Sequence, residues 1–262
     1  MLLTVRAAAF GFFVAGILGL PASAEAGTIV GGSTLLTASD LDQLETWLGE
    51  GELTLTNIFT ASDGDGLTST HFHTRVDNQG RTFVVLEVKA NSAYSSERGT
   101  RDHERQIIGG YNPLSWDSHG HYHTNPTNAG RTAFLFNLNN DVKYDQKQDA
   151  SAGNYGSYQT VGHEIHGPTF GGGHDLYVSS DLTSGYTRHW SYGPGFDTDD
   201  ILTDDGYFHE GRMFGTIEVF TIAQQQASPV PEASSLIAWS IVGLVCGSGC
   251  WWRRCRQVRA AT

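Results

Sequence analysis

The sequence predicts a mainly β fold, a β-sandwich of two antiparallel sheets with a few short flanking helices. Three observations point there. Segments rich in β-branched and aromatic residues outnumber helix-like ones. They do not alternate with helices, as a parallel α/β sheet would require. Glycine supplies 32 of 262 residues, roughly 12% against a usual 7% or so, which implies many turns. No Gly-X-Y period and no longer repeat is present, so collagen and solenoid folds are excluded.

The elements follow in order. Residues 25–36 are small and Gly-rich and predict a short strand or arm. Ser39-Asp40 precedes Leu41, Leu44, Trp47 and Leu48, apolar at i, i+3 and i+7 until Gly49, which predicts a capped amphipathic helix. Leu53–Phe59 alternates as a strand, and Ser62–Gly66 reads as a turn. Thr68 or Ser69 can cap a short helix with Phe72 and Val76 inward. Arg81–Lys89 is the clearest strand, with further strands at 106–111, 132–138, 174–178 and 214–222. Loops are expected at 91–105, 139–160 and 180–212.

The two ends differ from the middle. Arg6 precedes an apolar run from Ala7 to Leu20, then Pro21 and Ala22-Ser23-Ala24. A basic start, an apolar run and an A-x-A site predict a signal peptide over 1–24, cleaved after Ala24 by signal peptidase. Residues 236–252 are uncharged, end in Trp251-Trp252, and are followed by Arg253, Arg254, Arg256 and Arg259. This predicts a membrane-spanning helix with a cytoplasmic tail. All three Cys lie in that tail region.

The formal net charge is −12. Without the ends, residues 25–228 keep 11 basic and 27 acidic residues, about −16, and no Cys. Disulfide stapling and thiol peroxidase chemistry are therefore excluded for this part, where Met213 is the only sulfur. A nucleic-acid partner is not expected, because the basic footprint is missing.

Val230-Pro231-Glu232, a single span and an Arg-rich end resemble the bacterial PEP-CTERM sorting signal, with Ala233 in place of the usual Pro. The resemblance implies recognition of residues 229–262 by an exosortase and delivery to the cell surface or beyond. The middle carries, in order, Phe72-His73, Asp77 to Leu86, Ile108-Gly-Gly-Tyr111, Trp116, Ala133–Phe136, then Gly167-Pro168-Thr169-Phe170-Gly171-Gly172 with Asp175-Leu-Tyr177, and Ile217-Glu218-Val-Phe220. This succession resembles the TLDc domain. The resemblance implies a β-sandwich and assigns structural roles to the Gly167–Gly172 block, Asp175 and Glu218. It implies no catalytic residue and no cofactor. The exported part is then expected to be a non-enzymatic surface or matrix protein with a protective or a binding role, its ligand an extracellular polysaccharide or surface protein.

Several histidine, glycine and acidic motifs carry candidate chemistry. His71 and His73 point apart if helical. His163-Glu-Ile-His166 lacks the i, i+4 spacing of a zincin helix. Gly171-Gly-Gly173 lacks the Lys of a phosphate loop, and Gly153–Ser157 is no nucleophile elbow. Asp63/Asp65 and Asp197–Asp205 read as acidic turns without EF-hand spacing. His119-Gly-His121-Tyr-His123 is the strongest motif: in an extended segment the three imidazoles share a face and suit Zn, Cu or Ni. The sequence alone identifies no supporting carboxylate. Two readings stay open, a solvated polar loop and a metal-dependent extracellular hydrolase.

Overall fold

The computed structural model describes residues 26–89, 105–148, 155–193 and 212–225. The expected signal segment, the sorting tail and the acidic turn at 197–205 lie outside the described residues. Contacts gather Ala26–Gln226 into one compact unit.

Among the described residues of this unit, eleven strands, two α-helices and two short 3-10 turns follow one another. The strands are β1 (Thr28–Val30), β2 (Leu53–Ala61), β3 (Thr82–Val88), β4 (Gln106–Asn112), β5 (His119–Thr124), β6 (Phe134–Asn137), β7 (Val142–Asp145), β8 (Tyr158–His163), β9 (Leu176–Val178), β10 (Ser184–Thr187) and β11 (Arg212–Gln224). The helices are α1 (Ala38–Leu48) and α2 (Ser69–Val76). The main sheet runs β1-β2-β11-β3-β4-β6-β7, with β10 and then β9 branching from β11. A separate two-stranded sheet joins β5 and β8.

The mainly β class holds, but the pairing corrects the expectation of purely antiparallel sheets. β1 runs parallel to β2. The reason is the chain path: α1 lies between them, and parallel neighbours require such a crossover. The last strand, β11, inserts between β2 and β3 in the middle of the sheet. The expected loops at 139–160 and 180–212 also contain β7, the start of β8, and β10.

Helix α1 begins one turn-setting residue earlier than Ser39. Thr37 is the N-cap. Its hydroxyl accepts from the Asp40 amide at 3.3 Å, and Asp40 Oδ2 accepts from the Thr37 amide at 2.7 Å, a reciprocal box. Gly49 closes the helix with φ 74°, a conformation glycine adopts without penalty. Leu41 and Leu44 are buried beneath it.

The main sheet is covered on both faces. On β3, Phe83 and Val85 join Leu41, Leu44, Leu53, Leu55, Phe134, Phe136 and Phe220 on the α1 side. Val84, Leu86 and Val88 join Phe72, Trp116, Phe170, Leu176 and Tyr192 on the other. Continuous burial explains why β3 reads as an unbroken apolar run. Trp116 anchors the second layer. It is fully buried, its indole donates to Thr82 Oγ1 at 2.9 Å, and its ring meets Phe72 and Phe170 edge-on at 5.6 and 5.3 Å.

Gly109 on β4 shows how tightly this sheet is packed. A Cβ there would lie 2.1 Å from the Val84 carbonyl oxygen and 2.5 Å from Phe136 Cζ. Gly109→Ala is expected to destabilise the fold by about 1–3 kcal/mol through overpacking, read as a lower midpoint of thermal unfolding.

Candidate functional site

The β5 segment is polar throughout, and its strand form comes from pairing with β8. His121 faces Gly162, Tyr122 faces Val161 and His123 faces Thr160, with a bulge between His119 and His121. Gly120 occupies that bulge at φ 79°. The three imidazoles lie along one exposed face, with ring centroids 6.1 Å apart for His119–His121 and 4.8 Å for His121–His123.

They converge on a residue that the sequence reading passed over, Asp117. Its Oδ1 accepts from the His119 amide at 3.1 Å and lies 3.3 Å from His119 Nδ1. Its Oδ2 lies 3.1 Å from His123 Nε2 and 3.7 Å from His121 Nε2. The signal was present: Asp117 continues the alternation of 119, 121 and 123 by one more step, so an extended chain turns it to the same side. Gly162 leaves room for it, since a Cβ there would sit 2.3 Å from Asp117 Oδ1.

Asp117 and His123 are mostly buried, whereas the His119 side chain is 76% exposed. Burial pushes the Asp117 carboxyl up, but the His119 amide and the imidazoles outweigh it and hold the group below its ordinary value. Burial pushes His123 down, against the attraction of Asp117. The inner pair is thus a carboxylate beside a neutral imidazole, both electron-pair donors.

A second imidazole cluster lies around the β8–β9 connection. His73 on α2 turns Nδ1 to Asp77 Oδ1 at 2.7 Å and Nε2 to the carbonyls of His163 and His166 at 2.8 and 3.1 Å. It latches α2 to that connection. His163 and His166 stack at 4.7 Å, and His166 meets His174 and Tyr177 edge-on at 5.4 and 5.0 Å. His166 Nδ1 is buried without a hydrogen-bond partner. Burial, with His174, His163 and His73 adding to it, lowers its pKa to about 4. His71 is occupied at the start of α2, 3.1 Å from the Thr68 amide. Among the described residues, three ligand-type side chains come within reach of a single ion only at Asp117, His121 and His123.

The loop Gly167–Asp175 is folded back on itself. Phe170 donates its amide to the Leu176 carbonyl at 2.8 Å, and Gly167 donates to Val178 at 2.9 Å. Thr169 Oγ1 donates to the Gly167 carbonyl at 3.0 Å, and Pro168 is buried between them. Gly171 takes φ 83°, which glycine adopts without penalty, and a Cβ there would fall 1.9 Å from Asp175 Oδ1. Gly172 packs against the Tyr158 ring and donates its amide to Ser191 Oγ at 2.7 Å. The Asp175 carboxylate is fully buried and accepts from the amides of Ser191 and Tyr192 at 2.8 and 3.0 Å. On β11, Glu218 is buried and binds the arm after β1. Its Oε1 accepts from the Thr34 amide and hydroxyl at 2.8 and 2.9 Å, and its Oε2 accepts from the Ser33 hydroxyl. Both carboxylates are spent on holding backbone.

Asp65 caps its own turn, accepting from the amides of Ser62 and Leu67 at 2.6 and 2.8 Å, and Asp63 pairs with Lys89 at 2.6 Å. A cavity of about 440 Å³ opens elsewhere, lined by Asn57, Phe59, Leu67, His71, Thr74 and Arg75. The β5 histidines do not line it. Ala22, Ala24, Val230, Pro231 and Glu232 lie outside the described residues.

No curated protein matches this chain. The TLDc domain family matches residues 29–223, a span that begins within β1, ends within β11, and contains both helices, the Gly167–Asp175 loop and Glu218. A match over most of the chain, on a fold that is mainly β with two sheets and few helices, places the protein in the TLDc domain family.

Proposed function

We propose that the protein is an exported, non-catalytic TLDc module, delivered to the cell surface or extracellular matrix through an exosortase-type C-terminal signal. The observation that carries this reading is the layout of the chain. The compact unit Ala26–Gln226 begins just after the A-x-A site ending at Ala24 and ends shortly before Val230-Pro231-Glu232. The export and sorting segments thus flank the family match without cutting into it. Signal peptidase and an exosortase are the processing partners, and a surface polysaccharide or protein is the ligand class of the exposed module.

Binding is favoured over hydrolysis by the place of the β5 histidines. They stand on an exposed strand face, with His119 and His121 largely in solvent. A hydrolase needs a concave site that holds the scissile bond against one positioned water and keeps bulk solvent out.

Replacing Pro231 and Glu232 together by alanine is expected to leave the tail uncleaved and the protein in the membrane fraction. Intact-mass analysis of the mature chain reads this directly. An identical mature C-terminus with and without the pair would overturn the sorting reading.

A further inference from the structure

We propose that Asp117, His121 and His123 form a binding site for one divalent first-row transition ion of the zinc type, with His119 swinging in as a fourth ligand. One donor atom from each of Asp117, His121 and His123 lies within 4.8 Å of the others. Ligands at about 2.0–2.2 Å from a tetrahedral zinc sit some 3.3–3.5 Å apart, so closure needs only rotation of exposed side chains. His121 is half-exposed and His119 more so, which leaves both free to make that movement.

Three features of the chain prepare the site. The Asp117 carboxylate is fixed by the His119 amide. Gly162 on the facing strand keeps its space open. His123 Nε2 is buried and directed at Asp117 Oδ2 across 3.1 Å, yet makes no hydrogen bond there. A buried nitrogen without a partner carries a desolvation cost, and an ion between the two groups removes it. The donor set also selects. Imidazole nitrogens with one carboxylate suit zinc, copper or nickel. Calcium takes six to eight oxygens and magnesium a rigid octahedron of oxygens, and neither finds them here.

The test uses the purified full-length chain, stripped with a chelator and titrated with ZnCl2 by calorimetry. One equivalent is expected to bind. Asp117→Asn and His123→Ala are each expected to weaken binding by roughly tenfold or more, while His71→Asn, on an unrelated exposed helix start, binds as the wild type does. Circular dichroism of each variant establishes that it is folded. As a second readout, Co²⁺ should give the intense visible bands of a tetrahedral centre, lost in His123→Ala. Substoichiometric Zn²⁺ in the wild type, or undiminished affinity in the folded Asp117 and His123 variants, would overturn the proposal. The export and sorting reading stands or falls independently, on the mature C-terminus.

Discussion

Asp175→Ala is expected to cost about 3–5 kcal/mol of folding stability, the range seen when one partner of a buried charged network is removed. For a domain of this size that is a fall of about 10 °C in the midpoint of thermal unfolding. The carboxylate accepts from the Ser191 and Tyr192 amides and from that of Trp190, and the Lys147 ammonium adds an attraction. Alanine strands these amides in a fully buried site, each at about 1–3 kcal/mol. It also frees the Gly171 turn and the Ser191–Tyr192 segment, so Tyr192 and Phe170, 6.3 Å apart in the second layer, lose their common support. Asp175→Asn keeps the shape and one acceptor oxygen and should cost distinctly less. A loss below about 1 kcal/mol for the alanine variant, the level of an ordinary surface change, would show that the loop does not depend on this carboxylate.

The difference between what was legible in the sequence and what was not has a physical pattern. α1, α2, β2, β3, β4 and β11 were legible because burial writes a period into the chain. Leu41, Leu44 and Trp47 repeat as a helix face, and Phe83–Leu86 is apolar on both sides because both sides are covered. β5, β7 and β10 carry little apolar signal. His119–Thr124 is almost wholly exposed and is a strand because β8 supplies hydrogen-bond partners. Ser184–Thr187 is a strand because β9 and β11 lie on either side. Pairing of that kind is a property of two distant segments, and one window of sequence does not contain it. The parallel β1–β2 pair was missed for the same reason.

The site was half legible. The spacing of His119, His121 and His123 predicted a shared face, and the structure gives one. Asp117 stood two residues upstream in the same alternation but next to Trp116, where a reader looks for core. Trp116 does turn inward, and its neighbour consequently turns out toward the histidines. Period two, counted back one step from the first histidine, would have found the carboxylate.

His166 makes the module sensitive to acid, and here the sign separates it from Asp175. With its pKa lowered to about 4 against an ordinary 6.5, the folded protein keeps the ring neutral while the unfolded chain takes up a proton. Its contribution is therefore present above pH 6.5 and is lost as the pH falls through 4. The gap corresponds to about 3 kcal/mol for a fully buried ring, and partial exposure brings this to about 2 kcal/mol. His174, His163 and His73 lie beside it and add to the cost of placing a proton on its ring. Asp175 works the other way. Burial raises it to about 7, beyond what its amide bonds and Lys147 offset, so its contribution is present below pH 4 and is lost as the pH rises through 7. The two oppose each other across the same interval, and the wild-type profile there should be shallow. Urea unfolding at a series of pH values separates them. His166→Gln is expected to leave a stability that falls from pH 4 to 7, and Asp175→Asn one that rises from pH 4 to 6.5. Profiles parallel to the wild type in both variants would mean that neither group governs the acid response. Opposite slopes would identify the β8–β9 connection, which carries both His166 and Asp175, as the part of the fold whose protonation decides where the domain is most stable.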